Sequence, residues 1–259
     1  MLGMGSSVTS KGGFLHSEKN TSTTFVSGSS DYIVVSNDAT LQVTDAASAK
    51  DFSVSFWIKL TVDASSTSDK DGYIGMKAGA FRSNGFYMWY DDASGDDESI
   101  KLICNTGSAS QNVATDTDLD HNVWYHIAAT YDVSETTGKI YVDGTLSATN
   151  TSLNVPTQYT GDVHVGSSNT SSKFVSSVTS EVAFWKGTVL TDYEISSLAR
   201  RQNNPKTVQP SSLNGYWSLD LLSETGSNKV LDFSGNGNHG TSSGLADSDF
   251  DTTDSPTGV

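Results

Sequence analysis

The chain has 259 residues, with 30 Asp and Glu against 15 Lys and Arg and a formal net charge of −15. So acidic a surface repels phosphate backbones and excludes nucleic acid as a natural partner. The single cysteine, Cys104, excludes an intramolecular disulfide, and no apolar run approaches the ~20 residues that cross a bilayer, so no membrane insertion is expected.

In chain order, residues 1–22 are rich in Gly and Ser and read as a flexible arm. They show no basic region followed by an apolar stretch, so no signal peptide is expected. Strand signals then recur at short spacing. Residues 52–60 alternate: Val54, Phe56, Ile58 and Leu60 fall on one face, Ser53, Ser55, Trp57 and Lys59 on the other. Residues 85–90 and 99–104 read as further strands. Residues 122–149 hold two strand-like runs and an Asp143-Gly144 turn, a dipeptide that tolerates the positive φ a tight hairpin requires. Strands over 161–166 and 180–186 follow. The one helix signal spans 190–201, with Thr191 as N-cap, Glu194 three residues on, and Ile195, Leu198 and Ala199 as its apolar stripe. Pro205 and Pro210 bracket a linker-like stretch. Many short strands and one short helix predict an all-β, antiparallel jelly-roll β-sandwich. A single sandwich is expected over 23–242, followed by a loose acidic tail over 243–259.

Four motifs stand in a recognisable order: F-V-S-G-S-S-D-Y-I-V-V from Phe25, F-S-V-S-F-W-I-K from Phe52, W-Y-H-I-A-A-T-Y with Y-V-D-G from Trp124, and S-E-V-A-F-W-K-G-T-V-L-T-D-Y-E-I from Ser180. Together they resemble the laminin-G-like family, which has a concanavalin-A-like jelly roll. Two departures matter. Ser180 stands where the family often has Asp. The Y-W-S-L-D run at 216–220 and the D-F-S-G-N-G-N-H-G-T run at 232–241 resemble the family's first strand and following loop, yet here they come last. About fifty residues cannot make a second sandwich, so 213–242 is expected to supply the family's opening strand from the C-terminal end.

Candidate sites are few. A glycanase on this fold needs clustered carboxylates, and Glu18, Glu98, Glu135, Glu181, Glu194 and Glu224 form no E-x-D-x-x-E motif. His16, His121, His126, His164 and His239 are scattered. Asp116, Asp118 and Asp120 alternate like the start of an EF-hand loop, but His121 replaces the required Gly and Ile127 the closing Glu. Asp91, Asp92, Asp96, Asp97 and Glu98 crowd one turn, which reads as a solvated loop. The resemblance implies a possible calcium site at the sandwich rim, with Asp31 and Asp232 at the matching positions; no cofactor is required otherwise. Trp57, Tyr87, Trp89 and Tyr141 occupy the faces opposite the aliphatic ones. On an open sheet they would stack on sugar rings; covered, they would form a second small core.

The resemblance implies a binding or surface protein rather than an enzyme. The sequence supports three settings. The first is a bacteriophage virion surface protein (decoration, fibre or adhesion), partnered by other virion proteins or cell-surface glycans and able to oligomerise. The second is an extracellular carbohydrate-binding module. The third, disfavoured by the missing carboxylate motif, is a glycan-cleaving enzyme.

Overall fold

The computed structural model describes residues 22–44, 48–61, 71–78, 84–91, 98–106, 108–167, 174–219, 229–251 and 254–259. The expected arm 1–22 lies outside these residues except for Ser22, which begins a strand. The acidic turn 92–97, Asp220, Glu18, Glu224 and His16 also lie outside them.

Two antiparallel sheets of eight strands face each other. The first contains β1 (Ser22–Phe25), β3 (Phe52–Leu60), β8 (Tyr125–Asp132), β9 (Thr137–Val142), β10 (Thr145–Asn150), β12 (Ser177–Lys186), β13 (Leu213–Trp217) and β16 (Phe250–Asp251). Its order is β10-β9-β8-β3-β12-β1-β16, with β13 also on β12. The second contains β2 (Tyr32–Val35), β4 (Asp71–Ala78), β5 (Gly85–Asp91), β6 (Ser99–Asn105), β7 (Ser110–Ala114), β11 (Val163–Val165), β14 (Lys229–Val230) and β15 (Gly240–Ser243). Its order is β14-β15-β2-β11-β4-β5-β6-β7. This is a jelly-roll sandwich with one α-helix among the described residues, α1 (Asp192–Ala199).

The alternation in β3 explains the layers. Val54, Phe56, Ile58 and Leu60 are buried between the sheets. Aromatic rings knit the two sheets: Phe52 and Phe86 lie 4.4 Å apart, and Phe86 stacks on Phe184 at 5.9 Å. The Asp143-Gly144 turn has φ of 51° and 77°, as the hairpin requires. α1 begins where Thr191 and Glu194 form a reciprocal capping box, and it buries Ile195, Leu198 and Ala199. Ile195 and Leu198 join Tyr141, Trp185, Leu213 and Tyr216 in a second core on the outer side of the first sheet.

β12 organises the C-terminal half. Glu181, at φ 52°, interrupts its ladder between Ser180 and Ala183. Before the break β12 pairs with β1, as in Thr23↔Thr179. After it, the same edge pairs with β13, as in Val182↔Trp217. The two short strands thus lie end to end. The chain then crosses to the other sheet, where β15 pairs with β2. Residues 213–242 therefore contribute to both sheets.

The expectation of a loose tail over 243–259 is corrected. Leu245 and Phe250 are buried in the main core, β16 pairs with β1, and the Val259 amide donates to the Ala199 carbonyl at 3.2 Å. Two apolar side chains are enough to seat an otherwise polar segment, because each contributes about 1.5–3 kcal/mol when buried. The stretch between Pro205 and Pro210 is likewise structured: Pro205–Thr207 form a 3-10 turn.

Candidate functional site

The structure divides the four aromatic candidates between two sheets. Trp57 and Tyr141 belong to β3 and β9, whereas Tyr87 and Trp89 belong to β5. Nor are they open: relative exposure is 2% for Trp57, 0% for Tyr87, 6% for Trp89 and 1% for Tyr141. Of the two alternatives for these rings, the open stacking platform is not what the structure holds; the rings are covered. Trp57 meets His126 edge to face, with ring centroids 5.2 Å apart. Tyr141 lies in the second core, and its hydroxyl donates to Asp192 Oδ1 at 2.8 Å. Tyr87 and Trp89 pack with Ile103 in a small cluster on the outer side of the second sheet. Alternation shows which face a ring occupies but not what covers that face.

Asp31 and Asp232 do not meet either. Asp31 precedes β2 at the end where Tyr32 pairs with Ser243. Asp232 follows β14 at the opposite end, where Val35 and Val230 both pair with Gly240. The Asp232 carboxylate is consumed by the protein. Its Oδ1 accepts from the amides of Tyr216 and Ser234 at 2.9 and 2.8 Å. Its Oδ2 accepts from Ser234 Oγ and the Asn238 amide at 2.8 and 2.9 Å. Asp31 Oδ2 accepts from the Val26 amide at 2.9 Å, while Oδ1 is buried without a partner among the described residues. Burial, and to a smaller degree the nearby Asp249 charge, raises the Asp31 pKa, against the lowering effect of the Val26 amide. Calcium takes six to eight oxygens, and among the described residues no group of three or more His, Cys, Asp or Glu surrounds any point. The two aspartates do not fit a shared calcium site, and no ion is assigned to them.

His126 is fully buried, and burial first, then the Arg201 charge, pushes its pKa down to about 3. Such an imidazole is neutral at physiological pH and packed against Trp57. Cys104 is also buried, which pushes its thiol pKa well above the ordinary range. Neither is placed for proton transfer or nucleophilic attack. Three of the four described glutamates are committed elsewhere: Glu181 pairs with Arg201, Glu194 caps α1, and Glu98 lies beside His121; Glu135 sits in the exposed turn between β8 and β9.

A different constellation lies at the rim of the second sheet. The pairing of β2 with β11, as in Val35↔Val163, brings residues 37–43 and 158–163 together. Asn37, Gln42 and Tyr159 stand at the wall of a shallow recess between these segments, with Leu41, Val43 and Val163 as its buried apolar floor. A chain of planar polar groups runs along it and fixes its wall residues. Gln158 Nε2 donates to Gln42 Oε1 at 3.3 Å, and Gln42 Nε2 donates to Asn37 Oδ1 at 2.8 Å. The Asn37 amide N–H donates to Asp162 Oδ1 at 2.9 Å. Asn37 Nδ2 has no protein acceptor among the described residues and keeps both donors. Half-buried Tyr159 completes the recess, its pKa raised by burial and then by Asp162. Gly161 makes room for it: a Cβ there would lie 2.2 Å from the Tyr159 hydroxyl.

An apolar floor, an aromatic ring and several fixed amides are the components of a small-molecule site for a hydroxyl-rich ligand. No local signal in the sequence marks this recess, because its two halves are more than a hundred residues apart.

Fold and sequence together place the chain in a family. It belongs to the concanavalin A-like lectin/glucanases superfamily: the Laminin_G_3 family model matches residues 27–196. Three solved structures are similar to it. A protein from Bacteroides ovatus, provisionally assigned as carbohydrate-binding, superposes with a TM-score of 0.66 at 20% identity, over 92% of this chain and 61% of that one. A heptameric SAP-like pentraxin from Limulus polyphemus gives 0.50 at 15% identity, over 70% and 82%. The binding domain of Paraclostridial Mosquitocidal Protein 1 gives 0.51 at 14% identity, over 66% and 41%. The chain thus spans less than two thirds of the Bacteroides protein. At these identities the likeness is one of fold. No curated protein sequence matches the chain.

Proposed function

We propose that the protein is a non-catalytic carbohydrate-binding protein whose rim recess holds a neutral sugar. The observation that carries this reading is the wall of Asn37, Gln42 and Tyr159 over an apolar floor, with Gln158 fixing Gln42 from outside. Sugar hydroxyls pair with amide donors and acceptors that are already fixed by one another, so little side-chain freedom is lost on binding. The tyrosine ring offers a face for sugar C–H groups. The lectin-like fold supports the reading, as does the carbohydrate-binding assignment of the Bacteroides protein. The non-catalytic part is supported by the structural duties of Glu181 and Glu194 and by the neutral, enclosed His126.

The narrower setting we infer is the outer surface of a bacteriophage particle, where an acidic, disulfide-free lectin-like sandwich would meet cell-surface glycans. Antibody labelling of purified particles tests the setting. A glycan array tests the binding: the protein should retain neutral glycans, and Tyr159→Ala should lose them. An array on which wild type and variant give the same pattern would overturn the site.

A further inference from the structure

The last described residues cross the outer side of the first sheet. β16 pairs with β1 at that sheet's edge, and Ser22 Oγ donates to the Asp254 carbonyl. The Asp254 carboxylate is held from two sides. Lys59 Nζ forms an ion pair with Oδ2, and Trp124 Nε1 donates to Oδ1 at 3.1 Å. The same Lys59 ammonium lies 5.6 Å from the centre of the Trp124 ring. Two residues on, the carbonyl of buried Pro256 accepts from Arg201 Nη1 at 3.2 Å. The Val259 amide then donates to Ala199 O at the end of α1.

Beneath this crossing lies an aromatic floor. Lys59 and Trp57 are two apart on β3 and share its outer side. Trp57 meets His126, which in turn feels the Arg201 charge. An ammonium, an indole N–H and a guanidinium therefore grip residues 254–256 on a protein of net charge −15. What they hold is the Asp254 carboxylate and the Pro256 carbonyl oxygen, while the other arm of Arg201 pairs with Glu181. A uronic acid presents the same chemistry: one carboxylate, neighbouring oxygens and an apolar ring face.

We propose that Lys59, Trp124 and Arg201 form a second binding site, for a carboxylate-bearing sugar, and that the 254–259 strap occupies it as a built-in competitor. The ligand carboxylate replaces that of Asp254 between Lys59 and Trp124, and a ligand hydroxyl takes the Arg201 donor from the Pro256 carbonyl. The choice of a sugar rests on the carbohydrate-binding reading; the acidic group rests on the cations alone. A tethered occupant competes at high effective concentration. The apparent affinity for an added ligand is then the intrinsic affinity scaled by the fraction of molecules with the strap displaced. Screening by salt weakens both occupants.

The test is calorimetric titration of the full chain with oligogalacturonate, with neutral galacto-oligosaccharide as control. Asp254→Asn removes the competing charge and keeps the strap's length. It should bind oligogalacturonate at least tenfold more tightly than wild type, and adding Lys59→Ala should abolish the gain. Neutral ligand should be indifferent to both changes. A chain lacking 254–259 should show the same gain together with greater acrylamide quenching of tryptophan fluorescence. Should that deletion fail to fold, Asp254→Asn decides alone. Unchanged oligogalacturonate affinity in Asp254→Asn, or a gain that survives Lys59→Ala, overturns the proposal. Neutral-sugar binding and its loss in Tyr159→Ala are read separately, so the two sites fail independently.

Discussion

The Asp232 carboxylate accepts the backbone N–H of Tyr216 at 2.9 Å and so pins the loop after β14 to β13. Three further bonds, from Ser234 N, Ser234 Oγ and Asn238 N, saturate the same carboxylate. Removing it leaves buried amide N–H groups without acceptors, at about 1–3 kcal/mol each. Asp232→Ala should lower stability by about 3 kcal/mol or more in urea unfolding. Because those bonds already use the carboxylate, EDTA should leave the wild-type Tm unchanged. A chelator-induced drop that calcium reverses would assign Asp232 a metal instead.

Gly144 is held on two counts. Its φ of 77° suits glycine, and a Cβ there would lie 2.9 Å from Ser196 Cα and 3.0 Å from Ala199 Cβ in α1. Gly144→Val should therefore cost about 2 kcal/mol or more, the sum of turn strain and overpacking. Gly144→Ala, which meets the same helix with a smaller side chain, should fall between it and wild type. A valine variant with the wild-type melting temperature would contradict the tight approach of turn and helix.

Trp57 is a core residue despite facing away from the main core. Trp57→Ala should cost about 3–5 kcal/mol through the cavity it leaves, with neutral-sugar affinity unchanged in whatever fraction stays folded. Retained stability with lost binding would restore the stacking role.

His126 gives the stability a defined pH dependence. Its pKa is about 3 in the folded protein and about 6.5 when unfolded. At pH above the unfolded value both states are neutral and the residue contributes no slope. As pH falls from about 6.5 toward 3, the unfolded chain takes up a proton that the folded one refuses, so stability declines by up to about 1.4 kcal/mol per pH unit. His126→Gln should flatten the decline between about pH 6 and about pH 4.5 in urea titrations, a window above the ordinary carboxylate range. Parallel slopes for variant and wild type would contradict a neutral buried imidazole.

Much of the fold is legible because periodicity and capping are local. The β3 alternation, the Asp143-Gly144 turn and the Thr191/Glu194 box each sit within ten residues and appear in the structure where the pattern puts them. Strands with no apolar alternation are not legible. Ser110–Ala114 has mostly exposed polar residues, and Gly240–Ser243 is built of small ones; both are strands only because a neighbouring strand offers a ladder. The sites were harder still. Trp57 and Tyr141 look available from alternation alone, and their covers come from elsewhere in the chain: α1 over Tyr141, and His126 against Trp57. Buried Ser53, Ser55 and Ser180, small and polar on the outer side of β3 and β12, mark a face on which another layer packs. The recess of Asn37, Gln42 and Tyr159 exists only through the β2–β11 pairing.

The most direct test is the affinity of the wild-type protein and of Tyr159→Ala for the neutral oligosaccharide that gives the strongest array signal, measured by calorimetry. Stacking on one ring is worth about 1 kcal/mol, so Tyr159→Ala should weaken binding by roughly fivefold to tenfold with the melting temperature nearly unchanged. Asn37→Ala should weaken it as well, by removing the donors of Nδ2. Wild-type affinity in both variants, or a wild-type protein that binds no neutral glycan, would contradict the rim recess as a sugar site.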